Sequence, residues 1–242
     1  MKRTTRLRAL LLAAVLLGAT SASVAAADDG PGPLGVTTQP AATSRNVRVG
    51  ALFGGDDHFC TASVVHSVRR DLIITAAHCV GEAGALTFVP GYRDGRAPYG
   101  RWTVTRTYIG DAWKGEQDED SDVAFAEVAP RGGRNVEDVV GANRFVTNRT
   151  TGATAVTVTG YPNSGDSPIS CTNRPTAHSR TQQRIDCPGF TDGTSGSPWI
   201  NGYGEVVGIL GGHEAGGATP DISYSVTLGA EAGALYRQAV AP

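Results

Sequence analysis

The sequence predicts an all-β protein, a barrel or a sandwich, and three observations carry that reading. Short runs rich in Val and Thr recur along the chain, many of them alternating, and are broken by Gly, Pro, Asn and Asp. The 242 residues include 32 glycines, which suits many tight turns and barrel corners. Only Ala230–Ala239 has a helical composition, with Ala, Leu and Gln and no breaker but Gly233, so a single short C-terminal helix is expected. There is no repeat of fixed period.

In chain order, Lys2, Arg3, Arg6 and Arg8 form a basic head, and an apolar run follows from Ala9 to Ala19. Ala25 and Ala27 fit a small-x-small cleavage pattern, so residues 1–27 read as a secretory signal and the mature chain is expected to begin near Asp28. The apolar run is too short to span a bilayer, and no later stretch is long enough; no membrane association is expected after cleavage. Residues 28–45 are rich in Gly, Pro, Thr and Ala and read as a disordered leader or a short propeptide. Strands are then expected at Val47–Phe53, Ala62–His66, Leu72–Thr75, Leu86–Val89, Trp102–Ile109, Val123–Val128, Ala155–Thr159, Glu205–Leu210 and Ile222–Val226. About 215 residues beyond the signal suit one large domain or two small ones.

The chain holds 21 Lys and Arg against 23 Asp and Glu. Without the four basic residues of the signal the balance is 17 against 23, a net charge near -6. That balance favours solubility and argues against a nucleic-acid partner, which would want a basic face. The four cysteines, Cys60, Cys79, Cys171 and Cys187, are even in number in an exported chain, so two disulfides are expected. Three pairings exist. The sequential one, Cys60–Cys79 with Cys171–Cys187, closes two short loops and puts one staple in each half. No spacing is C-x2-C, which argues against a zinc site.

TDGTSGSPWI, Thr191 to Ile200, sets a serine between glycines. On its own such a run reads as a flexible loop. A serine hydroxyl becomes a nucleophile only where a base takes its proton. Five histidines are candidates: His58, His66, His78, His178 and His213. His78 stands apart. It lies in LIITAAHC, where an apolar β run ends in a small-residue turn beside a cysteine. A bridge from Cys79 to Cys60 would pin the backbone next to it. FCTASVV (Phe59–Val65) precedes this motif, and DSDVAFAEV (Asp120–Val128) follows it.

Together these motifs resemble those of the trypsin-like, chymotrypsin-fold serine proteases of the secreted bacterial kind. TAAHC matches the family's histidine motif, and HFCTASVV is similar to the strand carrying the disulfide partner of the cysteine after that histidine. DVAFAEV resembles the strand that opens with the family's aspartate. GTSGSP resembles the nucleophile loop, VVGILGG the substrate-binding strand and PDISYSVTL the last barrel strand. The likeness covers roughly residues 47–240. It implies two six-stranded antiparallel β-barrels, 46–140 and 141–242, with the active site in the cleft between them. It also implies Ser195 as nucleophile, His78 as base and Asp122 as the residue that orients His78. Asp118, Glu119 and Asp120 compete for that third role, and read otherwise as a solvated acidic loop. Asp122 is preferred because it sits where the apolar strand begins. Gly193 and Ser195 are expected to present the backbone N–H groups of an oxyanion hole. No cofactor and no metal are implied, and peptides or proteins are the expected substrates of an extracellular monomer.

The chain departs from the family pattern at several places. Thr194 stands where many animal members have the aspartate that binds a newly cleaved N-terminus, so activity is expected not to need one. Ser197 replaces a glycine, and Gly211 lies where a serine often supports the aspartate. For specificity, Gly189 occupies the position six before the nucleophile that is acidic in trypsin. Asp221 aligns with a pocket-floor position and favours Lys or Arg at P1, the residue before the cleaved bond. Gly211, Gly212 and His213 are expected to line the pocket. His213 makes glutamate specificity one alternative and a small or apolar P1 is the other, and Asp192 would bias the rim against acidic substrates. Two further alternatives are a protease-fold binding protein with little catalysis and a serine esterase. An intact His78, Asp122 and Ser195 speaks against the first, and the absence of a Gly-x-Ser-x-Gly elbow against a lipase-type fold.

Overall fold

The computed structural model describes residues 33–81 and 84–241. The segment read as a signal, 1–27, lies outside the described residues. The segment read as a disordered leader is, from residue 33, an edge of a sheet. Strand β1 (Thr37–Thr38) pairs antiparallel with Cys171 and Ser170, and Gly35 N–H donates to Thr172 C=O at 2.8 Å. Leu34 and Val36 remain exposed. Composition missed this strand because its order comes from backbone pairing, with little burial to leave a hydrophobic signature.

Six strands follow: β2 (Val49–Gly54), β3 (Asp57–Val64), β4 (Leu72–Thr75), β5 (Leu86–Pro90), β6 (Trp102–Ile109) and β7 (Ala124–Val128). They close into an antiparallel barrel in the order β2-β3-β4-β7-β6-β5. Leu52, Val64, Ile73, Ile74, Phe88, Trp102 and Phe125 fill it, all essentially inaccessible. Register shifts between Leu52 and Phe53 and between Val104 and Arg106 bend the wall so that it can close. At Gly50 a Cβ would lie 2.4 Å from Val89 C=O, so the strand crossing there admits only glycine.

The second half holds β8 (Arg144–Phe145), β9 (Val156–Gly160), β10 (Ile169–Asn173), β11 (Thr176–Ala177), β12 (Gln182–Asp186), β13 (Pro198–Asn201), β14 (Glu205–Ile209) and β15 (Ile222–Val226). Its wall is two sheets rather than one closed ladder: β1-β10-β9-β13-β14-β8 and β11-β12-β15. A bridge between Leu210 and Ser225 joins them, and Ser225 Oγ accepts from Ile209 N–H at 2.8 Å. The disulfide Cys171–Cys187 ties β10 to the residue after β12, and Cys60–Cys79 staples the first barrel. The sequential pairing is therefore the one observed. Loops of this length give each bridge about 3 kcal/mol in the chain-entropy account.

Helix α3 (Ala230–Ala239) spans the expected residues and returns from the second half to pack Ala232, Leu235 and Ala239 on the first barrel's core. Two short helices, α1 (Asp111–Glu116) and α2 (Val136–Val140), were not expected. Val136–Val140 has β-branched composition, yet Asn135 and Asp138 form a capping box that starts the turn.

Glu205 is buried in this half and accepts from Asn201 Nδ2 at 2.8 Å, from Arg149 at 2.7 Å and from Arg144. The Asn201 bond foremost, then the arginines, hold its carboxyl below the ordinary glutamate range against the opposing effect of burial. A depressed carboxylate contributes stability above its unfolded value, about 4.3, that is lost as pH falls through the folded value. Glu205→Gln should therefore destabilise the fold at pH 7 and approach the parent protein below about pH 4. Urea unfolding of both chains at pH 7 and pH 3 checks this.

Candidate active site

Strand β4 carries LIIT, all four buried, out of the barrel. Ala76 and Ala77 are small enough to turn inside the core, and a single 3-10 turn, Ala77–Cys79, then presents His78. The bridge from Cys79 to Cys60 fixes that turn. The side chain of His78 keeps 22% of its surface, whereas Asp122 is fully buried. Asp122 follows the turn Glu119–Ser121, just before β7. Its Oδ2 accepts from His78 Nδ1–H at 2.7 Å and from Gly212 N–H at 2.7 Å, and its Oδ1 accepts from His78 backbone N–H at 3.0 Å. A carboxylate as acceptor places the proton of a neutral imidazole on Nδ1, so that Nε2 is the acceptor of that tautomer.

The loop around Ser195 is held peptide by peptide. The carbonyl of Asp192 accepts from Asn163 N–H at 2.8 Å. That of Gly193 accepts from Thr61 Oγ1 at 3.0 Å. That of Thr194 accepts from Ser197 Oγ at 2.6 Å and Ser197 N–H at 3.0 Å, and that of Ser195 from Thr61 N–H at 2.7 Å. Thr194 N–H and Gly196 N–H donate to Thr191 and Leu210 at 3.1 and 2.7 Å. Among the described residues, the N–H groups of Gly193 and Ser195 have no acceptor. Gly193 adopts φ +93°, and a Cβ there would sit 2.4 Å from Asn163 N, so glycine alone fits.

His78, Gly193 and Ser195 line one cleft of about 630 Å³. Phe190, Leu210 and the segment Glu214–Pro220 form much of the rest, and Asp192 stands at its edge. Glu214 and Ala215 both lie in the left-handed region, at φ 51° and 54°, before two further positive-φ glycines. Backbone of this kind clusters at binding sites.

Several expected pocket residues lie elsewhere. Asp221 is outside the lining: a turn from Thr219 to Ile222 leaves its side chain in solvent, and its carbonyl accepts from Cys187 N–H at 2.9 Å. Gly189 is exposed and also outside. His213 turns from the cleft, stacking on His178 at 4.6 Å and edge-on to Tyr224 at 4.8 Å, with Nδ1 3.5 Å from Glu119. Gly211 and Gly212 sit behind the cleft against Asp122. The support a serine side chain often gives this aspartate comes here from the Gly212 backbone. Sequence reading missed Thr61, Leu210, Glu214 and Asn163, and also Trp113, whose ring lies 6.3 Å from that of His78. Of these only Leu210 had a signal, as the last apolar residue of VVGIL. Cys60, Cys79 and His78 lie close enough to suggest a metal site, but both sulfurs are spent in the disulfide and offer no thiolate.

A closed antiparallel barrel and a second β half, with a cleft lined by both His78 and Ser195, are the arrangement of a chymotrypsin-fold serine protease. Residues 60–209 match the trypsin-like peptidase domain, and the chain belongs to that family, a serine endopeptidase acting on peptides or proteins. Among solved structures it is similar to the protease Anisep from Arthrobacter nicotinovorans, at 27% identity and TM-score 0.75, over 85% of this chain and 100% of that one. The thermostable serine protease AL20 from an extremophilic microorganism is 26% identical at TM-score 0.73, over 82% and 99%. A Glu endopeptidase in complex with MPD shares the fold at 20% identity and TM-score 0.71, over 88% and 99%. No curated sequence matches significantly.

A Cβ at Gly211 would lie 2.7 Å from Asp122 Oδ2 and 3.2 Å from Ala76 Cβ. Gly211→Ala should displace the carboxylate and lower kcat/KM by about 10-fold or more. Peptide hydrolysis by the folded variant measures it; an unchanged rate would show that Asp122 has room to move.

Proposed function

We propose that the chain is a secreted serine endopeptidase with Ser195, His78 and Asp122 as its catalytic residues. The observation that carries this reading is the buried Asp122 carboxylate, which holds His78 at two points and leaves Nε2 free beside the cleft that Ser195 lines. Ser195 Oγ attacks the scissile carbonyl carbon as its proton passes to His78 Nε2. The oxyanion forms against the N–H groups of Gly193 and Ser195, which have no acceptor among the described residues. The C–N bond breaks as His78 returns the proton to the leaving amine, giving an acyl-enzyme. Water then attacks the ester, His78 takes its proton, and the proton returns to Ser195 as the acid leaves. One oxyanion donor contributes roughly 10²–10³ in rate.

The Thr194 hydroxyl donates to Thr191 C=O at 2.7 Å and closes the loop from within. This supports activity without a charged N-terminus in that place. Two disulfides and the signal-like 1–27 support export, and the chain acts as a monomer. Among the described residues, the ionisable side chains lining the cleft apart from His78 are Asp192 and Glu214, both acids. They disfavour a glutamate at P1. Lys or Arg is preferred, its aliphatic stem on Phe190 and Leu210 and its charge toward these carboxylates.

Cleavage of a P1-diverse peptide library by the exported protein tests the whole reading. Cleavage after Lys and Arg should dominate, survive Asp221→Asn, weaken in Glu214→Gln, and fall about 10⁴-fold or more in Ser195→Ala. Chains beginning at Asp28 and chains with a short extension before it should cleave at equal rates. Dominant cleavage after Glu would overturn the specificity, and cleavage that persists in Ser195→Ala would overturn the mechanism.

A further inference from the structure

We infer that Thr61 is a positioning residue whose hydroxyl sets the geometry of the oxyanion hole from the opposite barrel; this rests on the proposed roles of Gly193 and Ser195. Thr61 lies in β3 with no accessible surface. Its Oγ1 donates to Gly193 C=O at 3.0 Å and accepts from Tyr161 N–H at 2.9 Å. Its own N–H donates to Ser195 C=O at 2.7 Å, and its carbonyl is held by Thr75 Oγ1 at 2.7 Å.

Two of these contacts fall on the peptide units that bracket Ser195. The Gly193–Thr194 unit is gripped at its carbonyl by Thr61 and at its N–H by Thr191. The Ser195–Gly196 unit is gripped at its carbonyl by Thr61 and at its N–H by Leu210. A peptide plane held at both ends cannot rotate. The free N–H groups of Gly193 and Ser195 are thus aimed by their neighbours, and Thr61 supplies one grip on each. The hydroxyl has a further effect through Tyr161. The Tyr161 carbonyl and Asn163 N lie 2.6 and 2.4 Å from where a Gly193 Cβ would be, so the 161–163 segment forms the wall behind Gly193. One hydroxyl therefore fixes both the peptide and its backing. In Thr61→Val the added methyl fills the space of the hydroxyl and leaves no room for a water to replace it.

The test compares Thr61→Val, which keeps the shape and loses the hydroxyl, with Thr61→Ser, which keeps the hydroxyl. On a peptide anilide, Thr61→Val should lower kcat roughly 10- to 100-fold, the scale of a misplaced catalytic group, with KM within about twofold. Affinity for a peptide boronate, which forms the tetrahedral adduct, should fall in parallel, while affinity for the product peptide stays. Thr61→Ser should restore kcat to within about threefold of the parent. Equal kcat in the valine variant and the parent, or a serine variant as slow as valine, would overturn the proposal. So would a change confined to KM. If Thr61→Val does not fold, Thr61→Ala is measured in the same way. If neither folds while Thr61→Ser does, the hydroxyl serves the fold and the proposal fails. A parent enzyme without Ser195-dependent cleavage would instead overturn the reading beneath it.

Discussion

Two adjacent residues at one point of β3 hold the halves of the site together. Cys60 is bonded to Cys79, which adjoins His78. Thr61 is bonded to the carbonyls that flank the Ser195 loop. His78 comes from the first half of the chain and Ser195 from the second. A two-half active site is only as well defined as the docking between its halves, because an error of 1 Å costs about 100-fold in rate. Here three hydrogen bonds cross from Thr61 to the second half, while the covalent tie from Cys60 fixes the His78 turn within the first. The core reinforces it, since Val206, Ile209, Val226 and the helix residue Leu235 pack into the same cluster as the first barrel.

The same economy governs the loop polar groups. Buried backbone N–H and C=O groups are nearly always paired. In the Ser195 loop every carbonyl from Asp192 to Ser195 has a donor, whereas, among the described residues, the N–H groups of Gly193 and Ser195 beside the cleft, and of exposed Asp192, have no acceptor. Leaving a donor without a partner is costly, and under the proposed mechanism a substrate oxyanion is the partner that relieves it. The left-handed pair Glu214 and Ala215 on the opposite wall is a second local cost at the same cleft. Both lie on segments tied to the rigid core by disulfide, strand or Asp122, so the scaffold can sustain them.

Much of this was legible in the sequence, for identifiable reasons. Leu72–Thr75 occurs at the expected residues because burial and β-branching agree there, and Trp102–Ile109 does so through its alternating β-branched residues, although only Trp102 is buried. His78 and Asp122 were legible as motifs because each sits where an apolar strand meets a turn. Strand β12, QQRID, was not legible: Gln182 and Gln183 are buried through side-chain hydrogen bonds, which leave no hydrophobic pattern. Asp221 and His213 misled because alignment to a strand end fixes position along the chain but not the direction of a side chain. A turn of two residues sends Asp221 to solvent, and ring stacking draws His213 to His178. Thr61 looked like one more threonine in a β run, and only the opposing loop gives it a role.

The most direct measurement is labelling with a fluorophosphonate, which modifies a serine only when a neighbouring base takes its proton. Mass spectrometry of the labelled protein should find one adduct, on Ser195, and labelling should be lost in His78→Ala. An adduct on another residue, or Ser195 labelled at the same rate without His78, would contradict the claim that the two barrels bring this base to this nucleophile.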